Sequence, residues 1–239
     1  FLQYLVHFKA ADGFLAVHSS TSMGGQYQHT RNGNQGMSEY LAKKVEVKLE
    51  HPVTRIDKSD DGVKVTYQPP KGERQTISAD GLVLAIPPGM YTKIAFTPEL
   101  PIHQRQGYSR TYNGTMVKVC LIYDKAWWIE DGYVGQIIAL SSGDKEEYVT
   151  TVMDTSDGSH DGDGPKPRAP SLTAFLAGRR GQAYIDLPEG ERQQKVIDVV
   201  AAAFKSKEKA QNTVEVLEHL WNDEYDGAPV SLLPAAGMR

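Results

Sequence analysis

The sequence predicts an α+β fold, and three observations support that class. Hydrophobic residues make up 40% of the 239 positions and charged residues 23%, which suffices for a sizeable core. Short segments within 45–86 and 114–152 alternate apolar and polar residues with a period of two, as strands do. Residues 189–207 instead follow the helical period, with one apolar stripe formed by Val196, Val199, Val200, Ala203 and Phe204.

The first half of the chain is predicted to begin with helices and to continue as a β-meander. Residues 1–8 fit the end of a buried helix, 19–25 a loop, and 37–44, with apolar positions three and four apart, a second helix. Segments separated by Gly and Asp turns then have the pattern of strands, namely 45–49, 53–56, 63–67, 76–79 and 82–86. The last of these is wholly apolar, so we expect it to be buried.

The second half is predicted to contain two clear strands and one long loop. Residues 116–123 form the strongest strand pattern of the chain, and 213–220 form the final one. Residues 154–171 are rich in Ser, Asp, Gly and Pro, and they bury too little apolar surface to offset the entropy of ordering them. We therefore expect a mobile surface loop at 154–171.

The charge balance and the cysteine count exclude several classes of protein. With 30 acidic and 26 basic residues the net charge is -4, which argues against a nucleic-acid partner, since phosphate binding needs clustered Lys and Arg. The single Cys120 excludes an internal disulfide framework, and neither it nor the scattered histidines predict a metal site. No apolar run approaches ~18 residues, so no membrane segment is predicted in this chain, and an intracellular location is favoured. Because no Met begins the sequence, we expect it to be the middle of a longer protein.

Lys118 stands out because it lies inside an apolar strand. The alternation places Met116 and Cys120 on its face of the strand, and Val117 and Val119 on the other face. One interpretation is an edge-strand lysine whose stem covers apolar surface while its amine reaches water. The other is a functional lysine whose desolvated amine holds a water or a cofactor atom. The residues alone leave both interpretations open.

Six segments of the chain carry a family pattern. The most specific combination is Leu-Ala-Ile-Pro-Pro at 84–88 followed by Thr-Met-Val-Lys-Val at 115–119. The other segments are Met-Gly-Gly-Gln at 23–26, residues 49–57, residues 94–101 and Trp-Asn-Asp-Glu-Tyr at 221–225. In their order along the chain and in their approximate spacings, the six segments resemble the flavin-containing monoamine oxidase family, and they span nearly the whole chain.

The resemblance implies an incomplete two-domain flavoprotein, in which a mixed β-sheet substrate domain with flanking helices joins the middle strands of an FAD-binding domain. Residues 1–44 would be a helical and loop part of the substrate domain, and 45–88 strands of the FAD-binding domain. Residues 89–221 would complete the substrate domain, with the mobile loop 154–171 inside it, and 222–239 would return toward the FAD-binding domain. The family's βαβ unit that binds the FAD pyrophosphate has no counterpart here, since no Gly-x-Gly-x-x-Gly follows a strand.

The cofactor implied by the resemblance is FAD. Lys118 is similar to the lysine that holds a water at flavin N5, where reduced flavin reacts with oxygen, and it is the implied catalytic residue. Val53 is similar to the position whose backbone meets the adenine end of FAD, and Pro87 and Pro88 are similar to a rigid turn on the flavin side. Trp221 resembles the tryptophan that packs beside the isoalloxazine ring. A core valine, a strand stop and a core aromatic residue are the plain alternatives for these positions.

The implied substrate cavity involves Gln26, Ile138 and Val230, and the sequence departs from the family around it. Pro229 lies where the mitochondrial enzymes carry the cysteine that bonds to the flavin, so FAD is expected to bind non-covalently. Val230 lies where those enzymes place one wall of an aromatic cage, and Ser19 replaces a bulky apolar gate. These departures imply a fungal or bacterial type of amine oxidase whose substrate is not a simple arylalkylamine.

The implied activity is oxidation of an amine to an imine, with O2 reoxidising the flavin and giving H2O2. The expected partners are a small-molecule amine and O2, a homodimer stays open, and this segment alone is expected to be inactive. One alternative is another flavin oxidase of the superfamily, such as an amino-acid oxidase, a polyamine oxidase or a carotenoid-type desaturase. An amino-acid oxidase would need an arginine for the substrate carboxylate, and Arg55, Arg105 and Arg110 are the candidates. A second alternative is a non-catalytic, flavoprotein-derived binding module.

Overall fold

The computed structural model describes residue 30 and residues 33–139, 148–156, 169–221 and 228–234, the last range and residues 111–113 as backbone. The chain divides into two compact units, Phe1–Glu50 and His51–Arg239. The predicted helix end at 1–8, the loop at 19–25 and the site residue Gln26 lie outside the described residues, as does Ser19. The helices and strands of the described ranges confirm the α+β class. In those ranges no helix is both long and apolar enough to cross a membrane.

The described part of the first unit contains helix α1 (Gln35–Ala42), as its apolar spacing predicts. The predicted strand at 45–49 is wrong, since residues 45–49 form bends, turns and irregular chain in the structure. Its apolar side chains are exposed, and Leu49 is 77% exposed. Alternation produces a strand only where a neighbouring strand takes up the backbone hydrogen bonds and a core covers the apolar face. The described residues of this unit offer neither.

The second unit begins with a four-stranded sheet in the order β3-β2-β1-β4. Strands β1 (Val53–Ser59), β2 (Gly62–Tyr67) and β3 (Gln75–Ala79) form the predicted antiparallel meander, and β4 (Ala95–Thr97) adds to β1 in parallel. The turn between β1 and β2 requires Gly62, because its φ is +129° and a Cβ there would lie 2.6 Å from the Ala79 carbonyl oxygen. The small core of this sheet consists of Ile56, Val63 and Val65, with Val53, Leu84, Ile94 and Phe96 packed against it.

The predicted buried strand at 82–86 is wrong. This segment forms no strand, and most of its side chains are exposed, Val83 by 88%. Leu84 is half-buried against the small core, and its carbonyl oxygen accepts the Tyr91 hydroxyl at 3.2 Å. A continuous apolar run becomes a buried strand only when elements cover both of its faces, and the described residues cover one side. The chain then continues into a 3₁₀ helix (Pro88–Lys93) and helix α2 (Ile102–Ser109).

The second sheet has five antiparallel strands in the order β10-β6-β9-β8-β7. Strands β6 (Met116–Ile122) and β10 (Glu215–Leu220) confirm the strands predicted at 116–123 and 213–220. Strands β7 (Ile137–Ile138), β8 (Thr151–Asp154) and β9 (Ser171–Ala177) complete the sheet. Because β6 pairs with β10 on one side and with β9 on the other, it is an interior strand of this sheet.

Two further segments flank this sheet. Strand β5 (Thr111–Gly114) runs directly toward β6 and pairs antiparallel with β11 (Ala228–Pro234). The loop predicted at 154–171 joins β8 to β9, and residues 157–168 of it lie outside the described residues.

The main core lies between one face of the second sheet and the helices α3 (Trp127–Glu130), α4 (Gly178–Ile185), α5 (Glu189–Ala203) and α6 (Lys207–Gln211). The strands contribute a fully buried set to this core, namely Val117, Val119, Leu121, Val152, Leu172, Ala174 and Leu176.

Helix α5 is confirmed, but its buried stripe is rotated from the predicted one. Val196, Val200 and Phe204 are buried as expected, whereas Ala203 is exposed and Ile197 is buried in its place. The helix also ends at Ala203, because the chain turns into a left-handed conformation at Lys205, where φ is 52°. The predicted extension to residue 207 is therefore wrong.

A buried ion pair fastens two helices to strand β10. The Glu218 carboxylate accepts the Tyr184 hydroxyl of α4 at 2.7 Å and the Arg192 guanidinium of α5 at 2.7 and 3.1 Å. The Arg192 and Glu218 side chains are only 12% and 10% exposed. Burial, and then the hydrogen bond to Glu218, raise the pKa of Tyr184 well above its usual value, so the phenol stays a neutral donor.

Candidate functional site

One cross-strand row of the second sheet places two predicted site residues, Lys118 and Ile138, on the same face, with strands β9 and β8 between them. The register aligns Ile138 with Thr151, Thr151 with Phe175, Phe175 with Lys118, and Lys118 with His219. All five therefore share the sheet face opposite the helices, because side chains aligned across a sheet point to the same side. Ile138 is 49% exposed on this face, and Lys118 is exposed as well. We call this surface the open face.

Lys118 lies on the open face between two aromatic rings. Its Nζ is 5.4 Å from the ring centre of Phe175 and 5.9 Å from that of Trp221. The edge position of the first interpretation is wrong, because β6 is hydrogen-bonded to strands on both sides, whereas its amine in contact with water agrees with the exposed side chain. The desolvated amine of the functional interpretation is also absent among the described residues, since this side chain is exposed. Both rings are within the range at which a cation interacts with an aromatic face.

Trp221 is placed by the end of strand β10. Its backbone N–H donates to the Met116 carbonyl at 3.4 Å, which continues the β10–β6 ladder by one residue. Its half-buried ring lies 4.6 Å from the His219 ring in an edge-on arrangement. The predicted ring at position 221 and the predicted lysine at position 118 are therefore neighbours in the structure.

A cavity of about 740 Å³ extends from Lys118 along the open face. Such a volume is within the usual range for small-molecule sites. The residues that line it are Lys118, Cys120, Ile122, Thr155, Ala169, Ser171, Thr173, Phe175, Leu217, Glu218 and His219. The Glu218 carboxylate belongs to the buried ion pair with Arg192 and Tyr184 on the helix side. The described residues contain no group of three His, Cys, Asp or Glu side chains able to hold a metal ion.

The other predicted cofactor residues belong to the first sheet and its exit. Val53 opens β1 opposite Tyr67 and is half-buried against the small core, as a plain core valine would be. Pro87 has the extended backbone angles φ -56° and ψ 138°, and its carbonyl accepts the Met90 N–H at 2.9 Å. Pro88 is the first residue of the 3₁₀ helix, where a missing N–H costs nothing. The two prolines therefore lie where the chain turns into the 3₁₀ helix, and this second group of predicted residues is separate from the group on the open face.

Pro229 and Val230 lie in the irregular part of strand β11. Ala228 pairs with Gly114 and Leu232 pairs with Asn113, so the register shifts across 229–231. Gly114 stands two residues before Met116, where the lysine strand begins. The backbone of 229–231 is therefore brought to the same end of β6 as Lys118, and their side chains lie outside the described residues.

Sequence reasoning missed Phe175 and His219. The available signal for β9 was the short, mostly apolar run at 171–177, but it follows directly on a low-complexity stretch. His219 lies in a strand that was predicted, and only the register shows that it is the cross-strand neighbour of Lys118. Neither residue could be linked to Lys118 from spacing along the chain.

Comparisons with known proteins agree with this architecture. The family model described as "Flavin containing amine oxidoreductase" matches residues 5–237. The chain is 28% identical over 229 residues to the flavin-containing amine oxidase of Oncorhynchus mykiss, and 29% identical to flavin-containing amine oxidase A of Equus caballus. Each match covers 95% of this chain but only 41% and 40% of those proteins, so the chain spans less than half of their length.

Two solved structures share the fold. Putrescine oxidase, wild type and bound to putrescine, superposes with a TM-score of 0.69 at 26% identity, over 82% of this chain and 41% of that one. Cyclohexylamine oxidase from Brevibacterium oxydans superposes with a TM-score of 0.71 at 24% identity, over 85% of this chain and 42% of that one. Because the family model covers nearly all of the sequence, the chain belongs to the family of flavin-containing amine oxidoreductases.

Proposed function

We propose that this chain is part of an FAD-dependent amine oxidase, which oxidises an amine to an imine and transfers the electrons to O2, giving H2O2. The observation that carries the proposal is the position of Lys118, an exposed cation between Phe175 and Trp221 on the open face of the second sheet. Membership of a flavin-containing amine oxidoreductase family supports it.

The residues around Lys118 fit a flavin ring in their chemistry. Phe175 and Trp221 offer aromatic surface to a planar ring, and the Lys118 ammonium offers N–H donors to its polar edge. Val53 and the turn at Pro87 and Pro88 are proposed to hold the rest of the cofactor through backbone contacts. When bound, FAD would supply the two-electron redox chemistry, which protein side chains lack. Since a proline ring offers no nucleophile, Pro229 supports non-covalent binding.

The residues of the chain would contribute charge and shape. Lys118 supplies a positive charge where O2 becomes negative as it takes up electrons, and a fixed cation stabilises such a charge. Glu218 is the one acidic residue among the described residues that line the cavity, and Arg192 and Tyr184 engage its carboxylate on the helix side of the sheet. These described residues therefore offer no counter-ion that would hold the substrate as an ammonium ion, and an unprotonated amine is the form that can be oxidised.

The alternative of an amino-acid oxidase has less support. Its substrate carboxylate would need a free arginine near Lys118, but Arg55 is bound by Asp57 and Thr97 in the first sheet. Arg105 pairs with Glu99 at 2.8 Å, and Arg110 follows the end of α2. None of these three arginines lines the cavity on the open face. A polyamine oxidase and a non-catalytic binding module remain alternatives that the experiments below separate.

The test is made on the full-length protein loaded with FAD. We expect amine-dependent O2 consumption with one H2O2 formed per O2 consumed. A protein that binds FAD but shows neither signal with primary, secondary or polyamine substrates would favour the binding module. The coding sequence on both sides of this segment gives an independent check, since a Gly-x-Gly-x-x-Gly upstream would supply the pyrophosphate site.

The domain assignment is part of the same proposal. Residues 1–44 and 89–221 would belong to the substrate domain, and 45–88 with the return segment 222–239 would belong to the FAD-binding domain. Strand β4 pairs with β1, so the FAD-binding sheet would extend to Thr97. The segment by itself is not expected to retain FAD or to oxidise amines. A homodimer and an intracellular location remain expectations without structural support.

A further inference from the structure

The cavity on the open face changes character along strand β6. At one end it is aromatic and cationic, with Lys118, Phe175 and His219 in one cross-strand row. The next row on this face consists of Leu217, Cys120 and Thr173. The cavity thus passes from a charged aromatic end through a largely apolar middle.

The far end of the cavity is lined by hydroxyl groups. The Thr155 hydroxyl lies 2.9 Å from that of Ser171 and 2.8 Å from that of Thr173, and all three residues line the cavity. Ser171 is buried, and the two threonines are half-buried. A built, partly shielded group of hydroxyls therefore faces the same space as Lys118.

The three hydroxyl groups of Thr155, Ser171 and Thr173 carry one more O–H donor than their close mutual hydrogen bonds use. Three hydroxyls carry three hydrogens, and the two close oxygen–oxygen contacts use two of them. A third contact, from the Thr155 hydroxyl to the Ser171 carbonyl, is 3.5 Å long, beyond the usual range for an O–H···O bond. One O–H is thus available to a ligand acceptor, and leaving a half-buried donor unused has a cost.

The distance between the two ends sets the length of the ligand. Thr173 lies one row from Lys118 on this face and Ser171 two rows away, so the hydroxyls begin roughly 7 Å and end roughly 13 Å from the lysine along the strand. A neutral group fits them best, because the three hydroxyls carry no charge to balance a charged tail, and the Glu218 carboxylate is engaged by Arg192 and Tyr184 on the other side of the sheet. A second ammonium group would find no free carboxylate among the described residues that line the cavity.

We infer that the substrate is an amine with an apolar spacer and a neutral hydrogen-bonding tail, a hydroxyl or carbonyl, which the Thr155, Ser171 and Thr173 hydroxyls bind. This inference rests on the proposed function, and it adds a specificity determinant about which that function says nothing. It predicts that a diamine binds less well, because its second cation would find no free carboxylate among the described residues at that end of the cavity.

The test compares two amines of equal length on the full-length, FAD-loaded enzyme. Octylamine with a terminal hydroxyl carries the predicted tail, and nonylamine replaces that hydroxyl with a methyl group. Calorimetry without O2, on enzyme whose FAD has first been reduced with dithionite, gives the two Kd values, and O2 consumption by the oxidised enzyme gives kcat/KM. Thr173→Val and Thr155→Val remove one hydroxyl each while keeping a β-branched side chain. The matched control is Thr66→Val, which removes a hydroxyl from the Thr66–Thr76 pair of the first sheet, 2.9 Å apart.

We expect each of the two cavity variants to shift the Kd ratio of the amines toward nonylamine by roughly three- to tenfold, the value of one hydrogen bond. Affinity for nonylamine itself and the ratio in Thr66→Val should stay unchanged. An unchanged ratio in both Thr173→Val and Thr155→Val would overturn the inference. If the Kd ratio shifts but neither amine is oxidised, the proposed oxidase function fails while the hydroxyl site stands as a ligand site.

Discussion

Replacing Glu218 by Gln is expected to lower the free energy of unfolding by roughly 3 kcal/mol. The wild-type carboxylate accepts three hydrogen bonds, one from Tyr184 and two from Arg192, and both charged side chains are about nine-tenths shielded from water. Gln keeps the size of the side chain but leaves the Arg192 guanidinium buried without a counter-ion. Removing one partner of a buried pair costs about 3–5 kcal/mol, and the remaining amide oxygen, which can still accept, places this case at the lower end.

Urea denaturation of the full-length protein, followed by tryptophan fluorescence, measures this loss. Trp127 and Trp128 lie in the same core as Tyr184, so their emission reports on the domain that the ion pair fastens. The matched control is Glu130→Gln, the same chemical change in an ion pair with Lys125 whose side chains are 55% and 65% exposed. That variant should leave the midpoint unchanged, since water already screens the pair.

A second substitution distinguishes an uncompensated charge from lost packing. Adding Arg192→Met to Glu218→Gln removes the buried cation, and we expect the double variant to regain much of the lost stability. The reasoning is refuted if Glu218→Gln unfolds at the same urea concentration as Glu130→Gln. It is also refuted if the two substitutions at 218 and 192 are simply additive, because coupled partners are not.

Three further predictions concern the flavin site and one turn. In the full-length enzyme, Lys118→Met should lower kcat/KM for O2 by about tenfold to a hundredfold and leave kcat/KM for the amine nearly unchanged; equal O2 kinetics would make Lys118 a plain strand residue. Acid precipitation of the full-length protein should release intact FAD into the supernatant, and flavin remaining in the pellet would contradict the alignment at Pro229. Gly135→Ala should lower the melting temperature and reduce the free energy of unfolding by roughly 2 kcal/mol. The reason is that φ is +71° at this residue and that a Cβ would lie 2.6 Å from the Asp154 Cβ and 2.8 Å from Trp128 Nε1. Gly132→Ala, at φ +85° with open space around it, measures the backbone part alone, and equal losses in both variants would exclude the steric explanation.

The sequence predicted the features of the fold that depend only on the periodicity of a single element. Lys118 and the buried Val117 and Val119 could be assigned to opposite faces of β6, because a strand alternates whatever its partners are. Residues 45–49 and 82–86 show the limit of such patterns. Most of their apolar residues are exposed, since burial depends on which other elements pack against the segment, and the pattern does not contain that information.

The site shows the same division. Lys118, Ile138 and Trp221 were assigned roles through a family resemblance, while Phe175 and His219 enter the site only through the register of three strands, β6, β9 and β10, that lie far apart in the sequence. A shift of one residue in any of those ladders would turn the side chains of that strand to the other face. Register is set by the packing of the whole sheet, so no local pattern around Phe175 or His219 could have placed them beside Lys118.

The interior position of β6 has a further consequence for Lys118. The backbone of β6 is hydrogen-bonded to strands on both sides, so it cannot shift toward a ligand without breaking hydrogen bonds to both neighbours. The position of the Lys118 Cα is therefore fixed. The Lys118 ammonium can therefore change its position only by rotation about the side-chain torsion angles, within the reach of the side chain from its Cα. Little reorganisation energy is therefore needed to place the positive charge. If a shorter or longer side chain replaced Lys118, the strand could not move to restore the position of the charge.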